Sequence, residues 1–269
     1  MHVRKKIVIC FTNVLKNLDD LQIQVHCDSG SISGIEKFKS QTGIMAVITS
    51  KEAIKKKPTN ELREQFNTLA KKKAKCEAYI DACPIMWQSS KTERVATSSF
   101  AGEIQAIYTA IDLGSVLRTL FSELLYGHSK GKINVVVKND NMGLVHRINS
   151  ITAMPQESRL NSTLQSIREA ILQGDVDDCQ WISGLVNLAN PLTKSTTGNE
   201  LYWLLTDSQL VVTTQTAEDN RLIRTHQDKH YILAKNKKTM KAERIIREQV
   251  VNLIDVCFQK RLGYYSSRQ

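Results

Sequence analysis

Three isolated acidic residues stand where the side chains of a folded domain commonly converge. Asp28 ends a predicted strand, Glu103 opens a predicted long helix, and Asp140 ends the strongest predicted strand. Strand ends and helix starts of one sheet can meet at a common edge. Three carboxylates gathered there repel one another unless cations neutralise them, and hard divalent ions with oxygen ligands do so. Position alone leaves open the alternative of three ordinary surface acids.

Such a cluster points to metal-assisted hydrolysis. Two divalent ions roughly 3.5–4 Å apart can activate a water and stabilise the leaving oxygen of a phosphodiester. No Ser-His-Asp set, Gly-rich phosphate loop or CxxC pair in the sequence competes with the carboxylates.

Hydrophobic periodicity predicts the elements that would position these acids. Leu21–Asp28 alternates apolar and polar residues, which is typical of a half-buried strand, and the turn residues Ser29-Gly30-Ser31 follow it. An apolar stripe predicts a long helix from Ala101 to about Tyr126. A second long helix is predicted from 160 to about 174, and further strands at 43–49, 84–89, 133–140 and 179–183. This order favours an α/β fold with a mixed sheet and helices against it.

Two segments depart from this regular pattern. Residues 50–80 contain the lysine runs 55–57 and 71–73 with a short helix from Asn60, and they predict a basic, solvent-facing arm. This arm would be a charged surface helix or a clamp on a phosphate backbone. After about residue 195 we expect one helix at 201–212 and an amphipathic helix at 240–262.

The net charge and composition indicate the class of binding partner and the cell compartment. The formal net charge of +10 suits a polyanionic partner such as nucleic acid, although a solvated basic surface would account for it equally well. Six widely spaced cysteines without a CxxC pair predict reduced thiols of an intracellular protein, cytoplasmic or nuclear. No apolar run approaches the roughly 18–20 residues that cross a bilayer, so no membrane association is expected.

Six sequence segments are similar to the motifs of one known family and occur in the same order. They are CDSG at 27–30, KSQTG at 39–43, PIMWQSSKTERVATSSFAGEIQAI at 84–107, VVVKNDNMGLV at 135–145, SIREAILQGD at 166–175 and WISGLVNLANPLTK at 181–194. Together they resemble the RNase H domain of copia-type (Pseudoviridae) LTR retrotransposon Pol polyproteins over roughly residues 20–195. The insertion after Ser50 is a departure from the family, and the region after Thr196 matches nothing in it.

The resemblance implies a fold and a domain plan. The fold would be an RNase H-like mixed five-stranded sheet flanked by helices, with a helical C-terminal extension. Residues 1–19 would be an N-terminal lead-in and 20–195 the RNase H-like domain, with the basic insertion at 50–80. Residues 196–269 would form a basic, mostly helical extension.

The resemblance also implies the site. Asp28, Glu103 and Asp140 would be the catalytic, metal-binding carboxylates for two Mg²⁺ or Mn²⁺ ions. The fourth acid of the family falls on Asn190, in LANPLTK, where the family has L-A-D-x-L-T-K. An amide oxygen can still coordinate Mg²⁺, but the loss of one negative charge should weaken the second metal.

Four polar residues near these acids are candidate substrate contacts. Ser29 and Ser31 could bind phosphate, with a plain turn as the alternative. Asn139 and Asn141 could touch a sugar hydroxyl, with capping of the following helix as the alternative.

Three further side chains are predicted to be structural. We expect Trp87 and Trp181 to lie in the core and not to stack on bases. His26 shares the strand face of Asp28 and could support that residue, but it is expected to be a strand-surface histidine.

Two functions remain open on sequence grounds. The resemblance implies a metal-dependent endonuclease that cuts the RNA strand of RNA–DNA hybrids during reverse transcription. The alternative is a catalytically degenerate nucleic-acid-binding or structural module of a retroelement polyprotein, which Asn190 and the basic segments favour. In either case the chain could require a reverse-transcriptase domain of the same polyprotein as its partner.

Overall fold

The computed structural model describes residues 20–31, 40–51, 55–70, 75–92, 98–127, 133–150, 158–194 and 199–214. The strands are β1 (Leu21–Ser31), β2 (Ser40–Ser50), β3 (Lys75–Asp81), β4 (Cys83–Lys91), β5 (Asn134–Asn139), β6 (Asp178–Trp181) and β7 (Gln209–Thr214). The α-helices are α1 (Asn60–Ala70), α2 (Ser99–Tyr126), α3 (Met142–Asn149), α4 (Asn161–Gln173), α5 (Asn190–Thr193) and α6 (Asn199–Asp207). A 3₁₀ turn at Ser158–Leu160 precedes α4.

The main sheet has five strands in the order β4-β2-β1-β5-β6. The β4-β2 and β2-β1 pairs are antiparallel, whereas β1-β5 and β5-β6 are parallel. The expected RNase H-like mixed five-stranded sheet with flanking helices is therefore confirmed.

Alternation along the strands divides the hydrophobic residues between the two faces of this sheet. On β1, Ile23 and Val25 are fully buried in a core cluster that also contains Ile104 and Ile107 of α2. Ser98 caps α2 by accepting a hydrogen bond from the backbone N–H of Ala101 at 3.1 Å. The cap and the buried face fix where α2 begins and how it lies on β1.

The other face of the sheet is covered by a second layer that the sequence did not predict. Strands β3 and β7 pair antiparallel into a two-stranded sheet. Leu204 of α6 is fully buried in one cluster with Met45 and Val47 of β2. Phe66 of α1 and Trp203 of α6 are buried in an adjoining cluster.

This layer corrects two predictions. The segment 50–80 is not a solvent-facing arm, because α1 buries Leu62 and Phe66 and β3 pairs with β7. Residues 201–212 are not one helix, since α6 ends at Asp207 and Ser208, with a φ of 52°, leads into β7. Because a short helix and a strand follow each other within a dozen residues, the hydrophobic residues of this segment show no single period.

The predicted domain boundary at residue 195 stays a prediction, yet packing is continuous across it. Residues 199–214 belong to the same compact unit as the five-stranded sheet. The predicted lead-in 1–19, the lysine run 71–73 and the helix at 240–262 lie outside the described residues. No helix in the described part of the chain is both long and apolar enough to cross a bilayer.

Replacing Leu204 with alanine tests whether the second layer is integral to the fold. Leu204 is 0% exposed, so we expect Leu204→Ala to lower the free energy of unfolding by about 2–5 kcal/mol. Urea denaturation measures this change. The matched control is Leu172→Ala in α4, because Leu172 is 73% exposed and its loss should change stability by about 0.5 kcal/mol or less. Equal, small effects of both substitutions would contradict the packing described here.

Candidate metal centre

Three carboxylates from separate elements meet towards the carboxyl-terminal ends of two neighbouring strands of the main sheet, β1 and β5. Asp28, Glu103 and Asp140 each present an oxygen, and these oxygens lie within 4.8 Å of one another. The parallel pairing of β1 and β5 sets His26 opposite Lys138, which places Asp28 and Asp140 two residues farther along their neighbouring chains. Glu103, in the second turn of α2, reaches them from the helix layer.

The positions of these acids differ slightly from the prediction. Asp140 directly follows β5, as expected. Asp28 does not end its strand, because β1 continues through the predicted turn to Ser31, which pairs with Ser40 of β2. Asp28 thus has ordered backbone on both sides, and its side chain is completely buried.

Glu103 is held in a buried position where its charge is disfavoured. Its side chain is 9% exposed, and burial, followed by the charges of Asp28 and Asp140, raises its pKa to about 7. The Asn139 amide opposes this shift by donating a hydrogen bond to Glu103 Oε2 at 3.0 Å. The same amide donates to the Cys27 carbonyl at 3.1 Å, so Asn139 ties Glu103 to β1.

Asp140 is fixed by its backbone and by the space beside it. Burial, and then the charge of Asp28, raises the pKa of Asp140. The indole N–H of Trp181 donates to the Asp140 carbonyl at 2.9 Å. A Cβ atom on Gly184 would lie 2.8 Å from Asp140 Oδ2, so the missing side chain at Gly184 leaves room for the carboxylate.

The short helix α5 lies directly on the ends of β1 and β2. A Cβ atom on Gly43 would approach the Ala189 carbonyl oxygen to 2.8 Å, and one on Gly30 would approach the Thr193 carbonyl oxygen to 2.5 Å. Only glycine permits such close approach of a backbone. The glycines of the CDSG and KSQTG segments therefore bring α5 against Asp28.

The predicted fourth ligand, Asn190, lies in this helix beside a lysine. Asn190 is 9% exposed, and its amide N–H donates to the Gly184 carbonyl. Its Oδ1 accepts a hydrogen bond from Lys194 Nζ at 2.9 Å. The same ammonium lies 3.0 Å from Asp28 Oδ1, and the Thr193 hydroxyl donates to Asp28 Oδ2.

Lys194 and Thr193 are site residues that sequence reasoning missed. The signal was present in NPLTK, because residues four apart on a helix share a face and Lys194 follows Asn190 by four.

The candidate substrate contacts have mostly structural surroundings. Asn139 is fully buried, and Asn141 caps α3 by accepting a hydrogen bond from Leu144 N at 3.0 Å. Ser29 lies with its hydroxyl against Gly102 of α2. Ser31 ends β1, and its side chain lies outside the described part of the structure.

Two predictions about neighbouring side chains are wrong. Trp87 is not a core residue, since it is 57% exposed on β4. His26 is not on the surface, since it is 2% exposed under the second layer and opposite Met45. Burial, and then the charge of Lys138, lowers the pKa of His26 to about 3, so its ring is neutral. Trp181 packs against the main core, as predicted.

The donor set fits a hard divalent cation. Mg²⁺ and Mn²⁺ prefer carboxylate oxygens, and Asp28, Glu103 and Asp140 supply one each within a small space. Burial first, and then the neighbouring carboxylates, raise the pKa values of Glu103 and Asp140. These three residues would hold the ion.

Several solved structures resemble this chain, and they are RNase H1 proteins. LC11-RNase H1, isolated from compost by a metagenomic approach, shares 16% identity with a TM-score of 0.38, over 68% of this chain and 99% of that chain. The same protein in complex with an RNA/DNA hybrid gives 15% identity and a TM-score of 0.37, over 67% and 99% of the two chains. RNase H1 from the halophilic archaeon Halobacterium salinarum NRC-1 shares 10% identity with a TM-score of 0.39, over 67% and 97%.

No protein-family model and no curated protein sequence matches the chain. At identities of 10–16% and TM-scores below 0.4, the similarity to solved structures carries no information about activity or substrate.

Replacing Gly43 with alanine tests whether α5 packs directly against β2. Its Cβ would meet backbone and side-chain atoms of α5 at 2.7–2.9 Å, so we expect Gly43→Ala to lower the free energy of unfolding by about 1–3 kcal/mol. The matched control is Gly143→Ala in α3, where the nearest atom is 3.6 Å away and alanine favours the helix. Urea denaturation of both variants makes the comparison, and equal stability would show that α5 does not rest on β2 as described.

A glutamine at Glu103 tests the electrostatic strain of the cluster. The pKa of Glu103 is about 7 in the folded protein against 4.5 as its ordinary value, so the unfolded chain ionises first as the pH rises. The native protein therefore loses stability between about pH 4.5 and pH 7, by on the order of 3 kcal/mol, and the loss is constant above that window.

Glu103→Gln lacks this titration while keeping an oxygen for Asn139. In EDTA, its stability relative to the native protein should rise from about pH 4.5 to pH 7 and then level off. Chemical denaturation across this pH range measures the difference. A stability difference that does not change with pH would show that folding does not raise the pKa of Glu103.

Proposed function

We propose that this chain is a divalent-metal-dependent ribonuclease H that cleaves the RNA strand of RNA–DNA hybrids. The observation that carries the proposal is the meeting of Asp28, Glu103 and Asp140 at one sheet edge. The six sequence segments shared in order with the copia-type RNase H domain supply the reaction class and the retrotransposon setting, in which the RNA template is removed during reverse transcription. The cofactor is Mg²⁺ or Mn²⁺.

The side chains around the cluster have separable tasks in this proposal. Asp28, Glu103 and Asp140 bind the cation, and Asn139 orients Glu103 through its 3.0 Å hydrogen bond. Trp181 and the space at Gly184 fix Asp140. A bound cation would supply Lewis-acid activation of water and would stabilise the leaving 3′-oxygen.

The substrate class is consistent with the charge of the chain. A net charge of +10 favours contact with a phosphate backbone, whose affinity falls steeply with salt. Hybrid specificity would require contacts to the 2′-hydroxyls of the RNA strand. We place the protein inside the cell and propose a reverse-transcriptase domain as its partner.

A nucleic-acid-binding module without catalysis is the second candidate. Two observations favour it, namely the amide of Asn190 at the fourth acidic position and the exposed indole of Trp87 on β4. An exposed aromatic ring can stack on a base without chemistry. Binding would survive the loss of the carboxylates, whereas hydrolysis would not.

Cleavage of an end-labelled RNA–DNA hybrid separates the two candidates. We expect the native chain to cut the RNA strand in Mg²⁺ or Mn²⁺ and Asp28→Asn to reduce cutting to background, because it removes one charge from the cation site. The matched control is Asp207→Asn, which makes the same change at an exposed acid of α6 and should leave cleavage intact.

Asn190→Asp and a binding measurement complete the test. If the native site is active, Asn190→Asp should change only the metal concentration that cleavage requires. Fluorescence anisotropy on the same hybrid reports binding independently of cleavage. Binding without cleavage by the native chain and every variant would reject the nuclease and leave the binding module.

A further inference from the structure

We propose that the Lys194 ammonium takes the place of one divalent cation, so that this site binds one metal ion where a four-carboxylate site would bind two. The inference rests on the proposed metal-dependent function and specifies how many ions the site uses.

The geometry of Lys194 is that of a cation shared by two ligands. Its Nζ lies 3.0 Å from Asp28 Oδ1 and 2.9 Å from Asn190 Oδ1. They are one carboxylate of the cluster and the position at which the resembled family has its fourth acid. The ammonium therefore bridges the same pair through hydrogen bonds.

The local backbone fixes this arrangement. Lys194 N–H donates to the Asn190 carbonyl at 3.0 Å and ends α5, which sets the lysine four residues after the amide. The Thr193 hydroxyl holds the other oxygen of Asp28. Asp28 is fully buried, so an ammonium at hydrogen-bond distance is in a strong position to balance its charge.

Asn190 is suited to its position as an amide. Its N–H donates to the Gly184 carbonyl, which leaves Oδ1 as the atom that faces Lys194. A carboxylate has no proton to donate and would turn a negative oxygen towards that carbonyl. The amide of Asn190 therefore donates to Gly184 and accepts from Lys194 at the same time, which a carboxylate cannot do.

Charge balance leads to the same ion count. Four carboxylates balance two divalent cations, whereas the three carboxylates here balance one divalent cation and one ammonium. A second divalent ion beside the ammonium would leave excess positive charge.

Counting bound Mn²⁺ on the full chain tests this inference. Electron paramagnetic resonance and calorimetric titrations give the number of ions and their affinity, and ions still bound to Asp28→Asn are subtracted as sites elsewhere. We expect one ion per native chain. Lys194→Met removes a like charge next to that ion and should tighten its binding by about tenfold.

Three variants control for charge and folding. Lys194→Gln keeps a polar side chain and should tighten Mn²⁺ in the same direction. Lys51→Met removes the same charge from an exposed lysine at the opposite end of β1, about 20 Å away, and should leave the affinity unchanged. Asn190→Asp combined with Lys194→Met supplies the fourth carboxylate without the ammonium and should bind two ions.

The outcomes are decisive in either direction. Two native ions that Asp28→Asn removes, no native ion, or a Mn²⁺ affinity that Lys194→Met and Lys194→Gln leave within about twofold would each overturn the inference. The ion count does not depend on cleavage. One ion with the expected lysine effect but no cleavage would keep this inference and reject the nuclease, while two ions with cleavage would do the reverse.

Discussion

The repulsion between Asp28, Glu103 and Asp140 is the constraint on which the rest of the site depends. Burial in the sheet edge removes these carboxylates from the water that would otherwise stabilise their charges. The protein could relieve this by protonation, by hydrogen bonds or by cations. Asn139 provides the hydrogen bond to Glu103 and Lys194 provides one positive charge. The remaining negative charge is what the proposed divalent ion would neutralise.

Backbone contacts determine which polar and charged side chains reach Asp28. Helix α5 can bring Asn190 and Lys194 to Asp28 only because Gly30 and Gly43 leave its backbone room against β1 and β2. The second layer then covers the same face of the sheet and buries His26 as a neutral ring. Packing thus excludes water around Asp28, and this exclusion strengthens each charge interaction within the site.

The sequence predicted an element well wherever its hydrophobic residues followed a single strand or helix period. Alternation in β1 and the apolar stripe of α2 located the elements that position Asp28 and Glu103. The second layer escaped prediction because β3 and β7 are far apart in the chain, and strand pairing over such a separation leaves no local signal. Exposure of Trp87 was missed for a related reason, since the faces of β4 are decided by which distant elements cover them.

Asn190 shows why a lost ligand has to be interpreted together with its neighbours. Taken alone, an amide in place of an acid indicates a decaying site. Next to Lys194, the same amide accepts from an ammonium that also binds Asp28, and it donates to Gly184, which a carboxylate could not do. The L-A-D-x-L-T-K motif of the resembled family has the same lysine, so the change in this chain is the loss of one negative charge beside an ammonium. In the site that we propose, the three remaining acids are balanced by this ammonium and a single divalent cation. Such a site would retain the charge balance that metal-assisted hydrolysis requires, whereas a buried acid cluster without a balancing cation would not.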